Sequence, residues 1–176
     1  RSSEQTLRRV LSALALQTYP AELIEVIVAD DSSSPPLDVS EFDIPFACRV
    51  LRQDVEGFGA GRARALAARA SAADVLLFLD VDVVPSRRVV EAYLRWFERC
   101  DSVVPFGFLS FVDMSGMSAG QLHAAIRDHD LAAFEQLGRV DDQSWRERTF
   151  GDTADLQIES SDMFRTLVGA SLAVSA

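Results

Sequence analysis

Two pairs of aspartates stand where apolar, strand-like segments of the chain end. Asp30 and Asp31 follow a short β-branched segment, and Asp80 and Asp82 close a continuous apolar run. In open α/β sheets, ligands bind in the crevice outside the carboxyl ends of the strands. The four carboxylates would therefore surround one crevice, unless each pair simply marks a strand that turns into a polar loop.

The second pair has the residue types and spacing of a divalent-cation site. Residues i and i+2 of an extended segment point to the same side, so Asp80 and Asp82 can face one ligand. Carboxylate oxygens suit Mg²⁺ or Mn²⁺, which keep waters and bridge to substrate phosphates. An unpaired charge inside an apolar run is costly, and a cation is the simplest partner for it. The sequence thus predicts a metal site at Asp80 and Asp82.

A glycine-rich turn stands between the two acidic pairs. Gly57, Gly59 and Gly61 precede Arg62 and Arg64 in a segment rich in alanine and arginine. Glycines let the backbone approach a ligand closely, and the start of a helix favours anions. Arginine adds bidentate phosphate binding. The spacing does not fit the G-x-G-x-x-G pattern of dinucleotide sites, and a flexible turn remains the alternative.

Every basic residue of the chain is an arginine. The 17 arginines stand against 27 acidic residues, which gives a net charge of −10. Without lysine the chain cannot use a P-loop lysine, a Schiff-base lysine or the lysine of a receiver domain. The negative balance also argues against a nucleic-acid partner, because nucleic-acid binders need a basic footprint.

Cysteine, histidine and hydropathy suggest no second kind of site. Cys48 and Cys100 are too few for a disulfide framework, and we expect both to be buried free thiols. His123 and His129 lie six residues apart, which is not the spacing of a shared metal face, and we expect both to be solvated. No apolar run approaches the ~20 residues of a membrane span. We therefore expect a cytoplasmic domain, either free or peripheral to a membrane.

Helices and strands alternate along the first part of the chain, which predicts an α/β fold. The continuous apolar run before Asp80 is typical of a parallel strand covered on both faces. The predicted helices cover residues 4–17, 62–72, 86–99 and 118–137, and the predicted strands cover residues 24–29, 46–52, 75–81, 102–106 and 164–175.

These segments together resemble one known family. The sequence over residues 11–33, with Gln17-Thr18-Tyr19-Pro20, is similar to the opening of the inverting family 2 glycosyltransferases. The glycine-rich turn over 57–64 and the Asp80-Val81-Asp82 region over 74–85 continue that pattern in order, and residues 169–175 resemble a later strand. The resemblance implies a GT-A fold, which is a Rossmann-like α/β domain with a mainly parallel central sheet.

The resemblance also implies roles for single residues. Asp30 or Asp31 would bind the nucleotide base, and Arg64 would lie near the ribose or pyrophosphate. Asp80 would contact ribose or metal, and Asp82 would bind Mn²⁺ or Mg²⁺. The implied reaction moves a hexose from a UDP- or GDP-sugar to a hydroxyl of a glycan, a lipid-linked acceptor or a small molecule. A general base would deprotonate that hydroxyl, and the anomeric carbon would invert.

The resemblance predicts one domain over residues 1–176, with a nucleotide-binding half over 1–107 and an acceptor-side half over 108–176. We expect the polar stretch 141–161 to be a mobile acceptor loop. Ala65 replaces the asparagine that the family commonly has. The family pattern places a first strand before Ser2 and the catalytic base beyond Ala176, so the chain is expected to be a fragment without an assigned base.

Two alternatives remain open. The segment 79–84 fits the hhhDxDxV motif of haloacid-dehalogenase-type phosphatases, in which the first aspartate is the nucleophile. That family places this strand first and needs a later basic residue, usually lysine. The other alternative is a glycosyltransferase-like domain that binds sugar or nucleotide without turnover.

Overall fold

A computed structural model describes most of the first 128 residues and a short C-terminal strand. It covers residues 2–54, 57, 59–100, 102–107, 109, 112–128, 133–134, 137 and 171–176. The predicted loop over 141–161 and His129 lie outside the described residues. The described helices are α1 (Ser2–Leu14), α2 (Ala60–Ala70), α3 (Val89–Phe97) and α4 (Ala119–Arg127), and the strands are β1 (Glu25–Asp31), β2 (Ala47–Gln53), β3 (Val75–Leu79) and β4 (Ser171–Ser175).

Helix α1 forms because its apolar residues recur at helical spacing. Leu7, Val10, Leu11 and Leu14 are all buried on one face, where they pack with Phe46. Helix α1 ends at Leu14 rather than at the predicted residue 17. The remaining residues of the predicted helix leave the helical path and turn toward the segment before α3.

Gln17 and Thr18 fasten the end of α1 to the start of α3. The Gln17 amide donates to the Ser86 carbonyl oxygen over 2.8 Å and accepts from the Val90 N–H over 3.2 Å. The Thr18 hydroxyl donates to Glu91 over 3.0 Å. These bonds fix the segment that follows Asp80 and Asp82 against the first helix.

Strands β1 and β2 pair in parallel, which confirms the predicted α/β fold. In their register Asp30 lies opposite Arg52 and Asp31 lies opposite Gln53. Strand β1 therefore runs through both aspartates, two residues further than the sequence predicts. Each aspartate consequently gains a cross-strand neighbour on β2.

Strand β3 pairs with β4 in the antiparallel sense. Its continuous apolarity predicts a parallel strand covered on both faces, but its described partner is antiparallel and all five of its residues are partly exposed. The apolarity of β3 therefore matches neither full burial nor the direction of its described neighbour. Strand β3 also ends at Leu79, so Asp80 and Asp82 lie in the turn that follows it.

A buried polar cluster joins β4 to α3. The Tyr93 hydroxyl lies 2.8 Å from the Ser171 hydroxyl and 3.2 Å from the Ser171 carbonyl oxygen. The Gly107 N–H donates to the same carbonyl over 3.0 Å. A Cβ on Gly107 would lie 2.6 Å from the Tyr93 hydroxyl, so only glycine fits there. Burial raises the pKa of Tyr93, and its bond to Ser171 opposes that shift.

The predicted strand over residues 102–106 is wrong in extent. Among the described residues of that segment, only Phe106 makes a bridge, to Leu172. The Pro105 carbonyl accepts from the Ala173 N–H over 2.9 Å, but proline has no N–H to donate in return. The segment therefore lies beside β4 without forming a strand of its own.

Helix boundaries and thiol burial differ from the prediction in detail. Helix α2 begins at Ala60 instead of residue 62, α3 begins at Val89 instead of residue 86, and α4 ends at Arg127.

Cys48 is half-buried, and burial raises the pKa of its thiol. Cys100 is exposed just after α3, so the prediction that both thiols are buried is wrong for Cys100. In the described part of the chain, no helix is long and apolar enough to cross a bilayer.

Candidate functional site

Asp30 is a buried carboxylate whose oxygens are occupied by the protein itself. Its exposed fraction is 1%. It accepts from the N–H groups of Ser33 and Leu37 over 3.0 and 3.3 Å and from the Arg52 guanidinium over 2.8 Å. Burial alone would raise the pKa of Asp30, but these hydrogen bonds outweigh it and hold the pKa below its ordinary value. Asp30 thus holds the loop after β1 in place.

Asp31 is partly exposed and faces the glycine-rich turn. The Gln53 amide donates to Oδ1 over 2.8 Å, and the Gly59 N–H donates to Oδ2 over 3.0 Å. A carboxylate has about four lone-pair positions on its two oxygens. Asp31 therefore retains acceptor capacity for a ligand, and the hydrogen bonds that fix its side chain leave that capacity free.

Gly59 is required where the turn meets Asp31. A Cβ at this position would lie 2.7 Å from both Asp31 Oδ2 and Gln53 Nε2. Gly59 is also the N-cap residue of α2, and its carbonyl accepts from the Ala63 N–H over 2.9 Å. The absent side chain lets the helix start against the strand end, as a close-approach glycine should.

Arg64 and Asp80 form an ion pair beside β3. The guanidinium contacts Asp80 Oδ1, and the two side chains are 36% and 39% exposed. The chain turns directly after this aspartate, because the Asp80 carbonyl accepts from the Val83 N–H over 3.0 Å. Asp82 is exposed within that turn and makes no hydrogen bond or ion pair with the described residues.

The first turns of α2 connect the two acidic pairs. The N-cap residue Gly59 binds Asp31, and Arg64 binds Asp80. These two positions are five residues apart, which is about 7.5 Å along a helix axis at 1.5 Å per residue. One helix end thus brings together a carboxylate of β1, a carboxylate after β3 and a guanidinium.

Comparison with known proteins identifies the domain. A family model described as glycosyl transferase family 2 matches residues 1–164 of the chain. The chain belongs to the family 2 glycosyltransferases. No curated protein matches it.

Membership in this family supports the fold class and the general type of reaction. A family 2 glycosyltransferase has the GT-A fold, which agrees with the α/β architecture and the parallel pair β1–β2. The domain is a glycosyltransferase, and the family implies a nucleotide-sugar donor and an acceptor. Among the alternatives, the match therefore favours glycosyl transfer over the phosphatase.

The acidic turn of this glycosyltransferase has a donor set that fits a divalent cation. Within the described residues, no group of three or more acidic, histidine or cysteine side chains could hold a metal ion. Mg²⁺ in phosphate-binding sites commonly takes only one or two carboxylates and completes its shell with waters and substrate phosphates. Asp82, which is exposed and unpaired among the described residues, and the partly exposed Asp80 match that smaller donor set.

The structure brings together Asp31, Arg64 and Asp80 of the predicted site, and Asp82 lies two residues from Asp80. It gives Asp30 a structural role that its sequence position does not reveal. It also adds Gln53, which no motif of the sequence singles out. The position of Gln53 directly after a predicted strand, where a parallel register would set it opposite Asp31, was the available signal.

Proposed function

We propose that this glycosyltransferase transfers a hexose from a UDP- or GDP-sugar to an acceptor hydroxyl with inversion at the anomeric carbon. The supporting observation is the start of α2, where Gly59 meets Asp31 and Arg64 meets Asp80. A nucleoside diphosphate has donor groups on its base and negative charge on its phosphates. The cluster offers a carboxylate for the first and a guanidinium for the second.

In this proposal Asp31, and not Asp30, binds the nucleotide base. Asp30 is buried and already accepts three hydrogen bonds, so a ligand could reach it only by breaking the loop after β1. Asp31 is partly exposed. Its carboxylate can accept from the ring N–H of uracil or from the two neighbouring N–H donors of guanine.

Arg64 is proposed to bind the diphosphate. Its guanidinium is partly exposed and pairs with Asp80. A phosphate can accept two parallel N–H bonds from arginine, which a single carboxylate oxygen does not provide. Arg64 would therefore exchange part of its contact with Asp80 for the phosphates when the donor binds.

Asp80 and Asp82 would hold a divalent cation, either Mn²⁺ or Mg²⁺. When bound, such a cation supplies Lewis-acid stabilisation of the negative charge on the departing diphosphate. The exposed position of Asp82 lets its carboxylate reach a ligand without breaking a bond to the described protein. We assign the general base that would deprotonate the acceptor to no described residue.

Calorimetry tests the donor site directly. UDP and GDP are titrated into the protein with Mn²⁺ and without it, and we expect one of them to bind with Mn²⁺. Asp82→Asn should weaken that binding roughly tenfold or more, as the loss of a metal contact does. If neither nucleotide binds to the wild-type protein, the proposed function is refuted.

Asp74→Asn is the matched control for Asp82→Asn. Asp74 is an exposed aspartate at the opposite end of β3, roughly 20 Å from Asp80 at ~3.3 Å per residue. We expect this variant to bind the nucleotide like the wild type. Rapid hydrolysis of p-nitrophenyl phosphate that is lost in Asp80→Asn would favour the phosphatase instead.

A further inference from the structure

Gln53 forms a closed ring of hydrogen bonds with Asp31 and Gly59. Its side-chain amide donates to Asp31 Oδ1 over 2.8 Å and to the Gly59 carbonyl over 3.0 Å. The Gly59 N–H completes the ring by donating to Asp31 Oδ2 over 3.0 Å. The three bonds join the end of β1, the end of β2 and the start of α2, and the two bonds to Asp31 span 22 and 28 residues of sequence.

The backbone of Gln53 holds the next residue of the same strand end. Gln53 lies opposite Asp31 in the parallel register, and its carbonyl accepts from both the N–H and the hydroxyl of Ser32, over 3.0 and 3.1 Å. Ser32 has a φ of 61°, which is a left-handed backbone conformation that residues other than glycine seldom adopt. The two bonds to Gln53 stabilise this conformation directly after Asp31.

We propose that Gln53 is the positioning residue for recognition of the nucleotide base. The inference rests on the proposed function, because Gln53 acts through Asp31. The Gln53 amide sets the orientation of the Asp31 carboxylate and the distance between that carboxylate and Gly59 of the glycine-rich turn. The Asp31 carboxylate then meets the nucleotide base in a preorganised orientation.

The chemistry of the ring explains why this position holds glutamine. One NH₂ group donates to two acceptors, a carboxylate and a carbonyl, and neither acceptor can donate in return. Glutamate would set a second carboxylate against Asp31 and remove the donor from the Gly59 carbonyl. Methionine has a similar length but donates to neither acceptor.

Two variants and two ligands test the proposal. UDP or GDP, whichever binds the wild-type protein, and inorganic pyrophosphate are titrated with Mn²⁺ into the wild type, Gln53→Met and Gln53→Glu. We expect nucleotide affinity to fall roughly ten- to hundredfold in both variants, which is the usual effect of losing a hydrogen bond to a charged group. Pyrophosphate affinity should stay within about twofold, because pyrophosphate has no base for Asp31 to bind.

The pH response of Gln53→Glu separates positioning from a merely structural role. In Gln53→Glu the new carboxylate takes the place of an amide that lies 2.8 Å from Asp31 Oδ1, and two carboxylates at hydrogen-bond distance share a proton. The introduced glutamate should therefore become protonated on acidification and donate to Asp31. The nucleotide affinity of this variant should therefore approach that of the wild type as the pH falls from about 8 to about 5.5. Gln53→Met has no such group, and its deficit relative to the wild type should persist.

The nearby charged groups among the described residues do not account for such a response. On β2, Arg52 is bonded to Asp54 and to Asp30, and on α2, Arg64 is paired with Asp80. These groups are the same in both variants. A pH-dependent recovery that occurs only in Gln53→Glu must therefore arise from the new carboxylate beside Asp31.

Gln17→Glu is the matched control. Gln17 also donates from its amide to a carbonyl, that of Ser86, but it lies between α1 and α3 and contacts neither Asp31 nor Gly59. This variant should melt at a lower temperature than the wild type yet keep its nucleotide affinity within about twofold.

Each result decides one question. Wild-type protein that binds no nucleotide refutes the proposed function and this inference with it. Wild-type protein that binds, together with Gln53 variants that bind nucleotide equally well, refutes the role of Gln53 alone. An equal loss of nucleotide and pyrophosphate affinity, with no recovery at acidic pH, would show a structural role and also overturn the inference.

Discussion

Asp30→Asn should destabilise the domain although it changes only one oxygen to an NH₂ group. In the wild type, Asp30 Oδ1 accepts from Ser33, and Oδ2 accepts from Leu37 and Arg52. The amide oxygen of asparagine can replace only one carboxylate oxygen. If it stays with Ser33, an NH₂ group faces two donors that both need an acceptor.

The expected loss follows from the burial of these donors. The part-buried Leu37 N–H loses its acceptor, which costs ~1–3 kcal/mol of unfolding free energy. The Arg52 guanidinium is about one-third exposed, so water and Asp54 replace the lost contact and we add nothing for it. A loss near 2 kcal/mol would lower the melting temperature by roughly 4–8 °C in a domain of this size.

Urea denaturation followed by far-UV circular dichroism measures this loss. Because folding lowers the pKa of Asp30 below its ordinary 3.8, its stabilisation is fully present above that value. It is lost as the pH falls through the lower pKa of the folded state. The decline of wild-type stability below about pH 4 should therefore be steeper than that of Asp30→Asn.

Asp82→Asn is the matched control, because Asp82 is exposed and unpaired among the described residues. Its unfolding free energy should lie within about 0.5 kcal/mol of the wild type. Equal midpoints and equal slopes for Asp30→Asn and the wild type would contradict the structural role of Asp30. Asp30 would then be a candidate for base binding again.

Four further substitutions test other contacts. Gly59→Ala should destabilise the domain by ~1–3 kcal/mol and weaken nucleotide binding, because the added Cβ meets Asp31. In Gly61→Ala, at the same helix start, the added Cβ has nothing within 4 Å, so this variant should stabilise the domain by up to about 1 kcal/mol. Urea denaturation measures the stability of both variants, and calorimetry measures their nucleotide affinity. Arg64→Gln should weaken UDP or GDP binding roughly tenfold with little change in melting temperature, because its ion pair is partly exposed. Tyr93→Phe should cost ~1 kcal/mol in urea denaturation through the lost buried bond, without changing nucleotide affinity.

The positions of most elements could be predicted from local sequence. The i, i+3, i+4 spacing of Leu7, Val10 and Leu11 places α1, and short β-branched or apolar runs place β1, β2 and β3. The predictions that failed concern segments whose structure depends on residues distant in sequence. Pairing of Phe106 with β4 needs residues near 172, and the end of α1 depends on the bonds that Gln17 makes to the segment before α3.

The site could be predicted as a set of residues but not as a division of roles. Asp30 and Asp31 are adjacent, have the same chemistry and follow the same apolar run. Their difference comes from Leu37 and Arg52 on one side and from Gly59 on the other. Such partners are fixed by the parallel register and the helix start, which no local pattern contains.

The β3–β4 pair has a consequence for how the chain acquires this structure. The paired residues are roughly ninety to one hundred positions apart in sequence. Contacts of such long range form late, since the entropy of closing the intervening loop must be overcome first. Until β4 has paired with it during synthesis or refolding, the apolar edge of β3 is unprotected on that side and can pair with other chains. We therefore expect aggregation during refolding to increase with protein concentration and to fall when β3 carries a charged substitution at its edge.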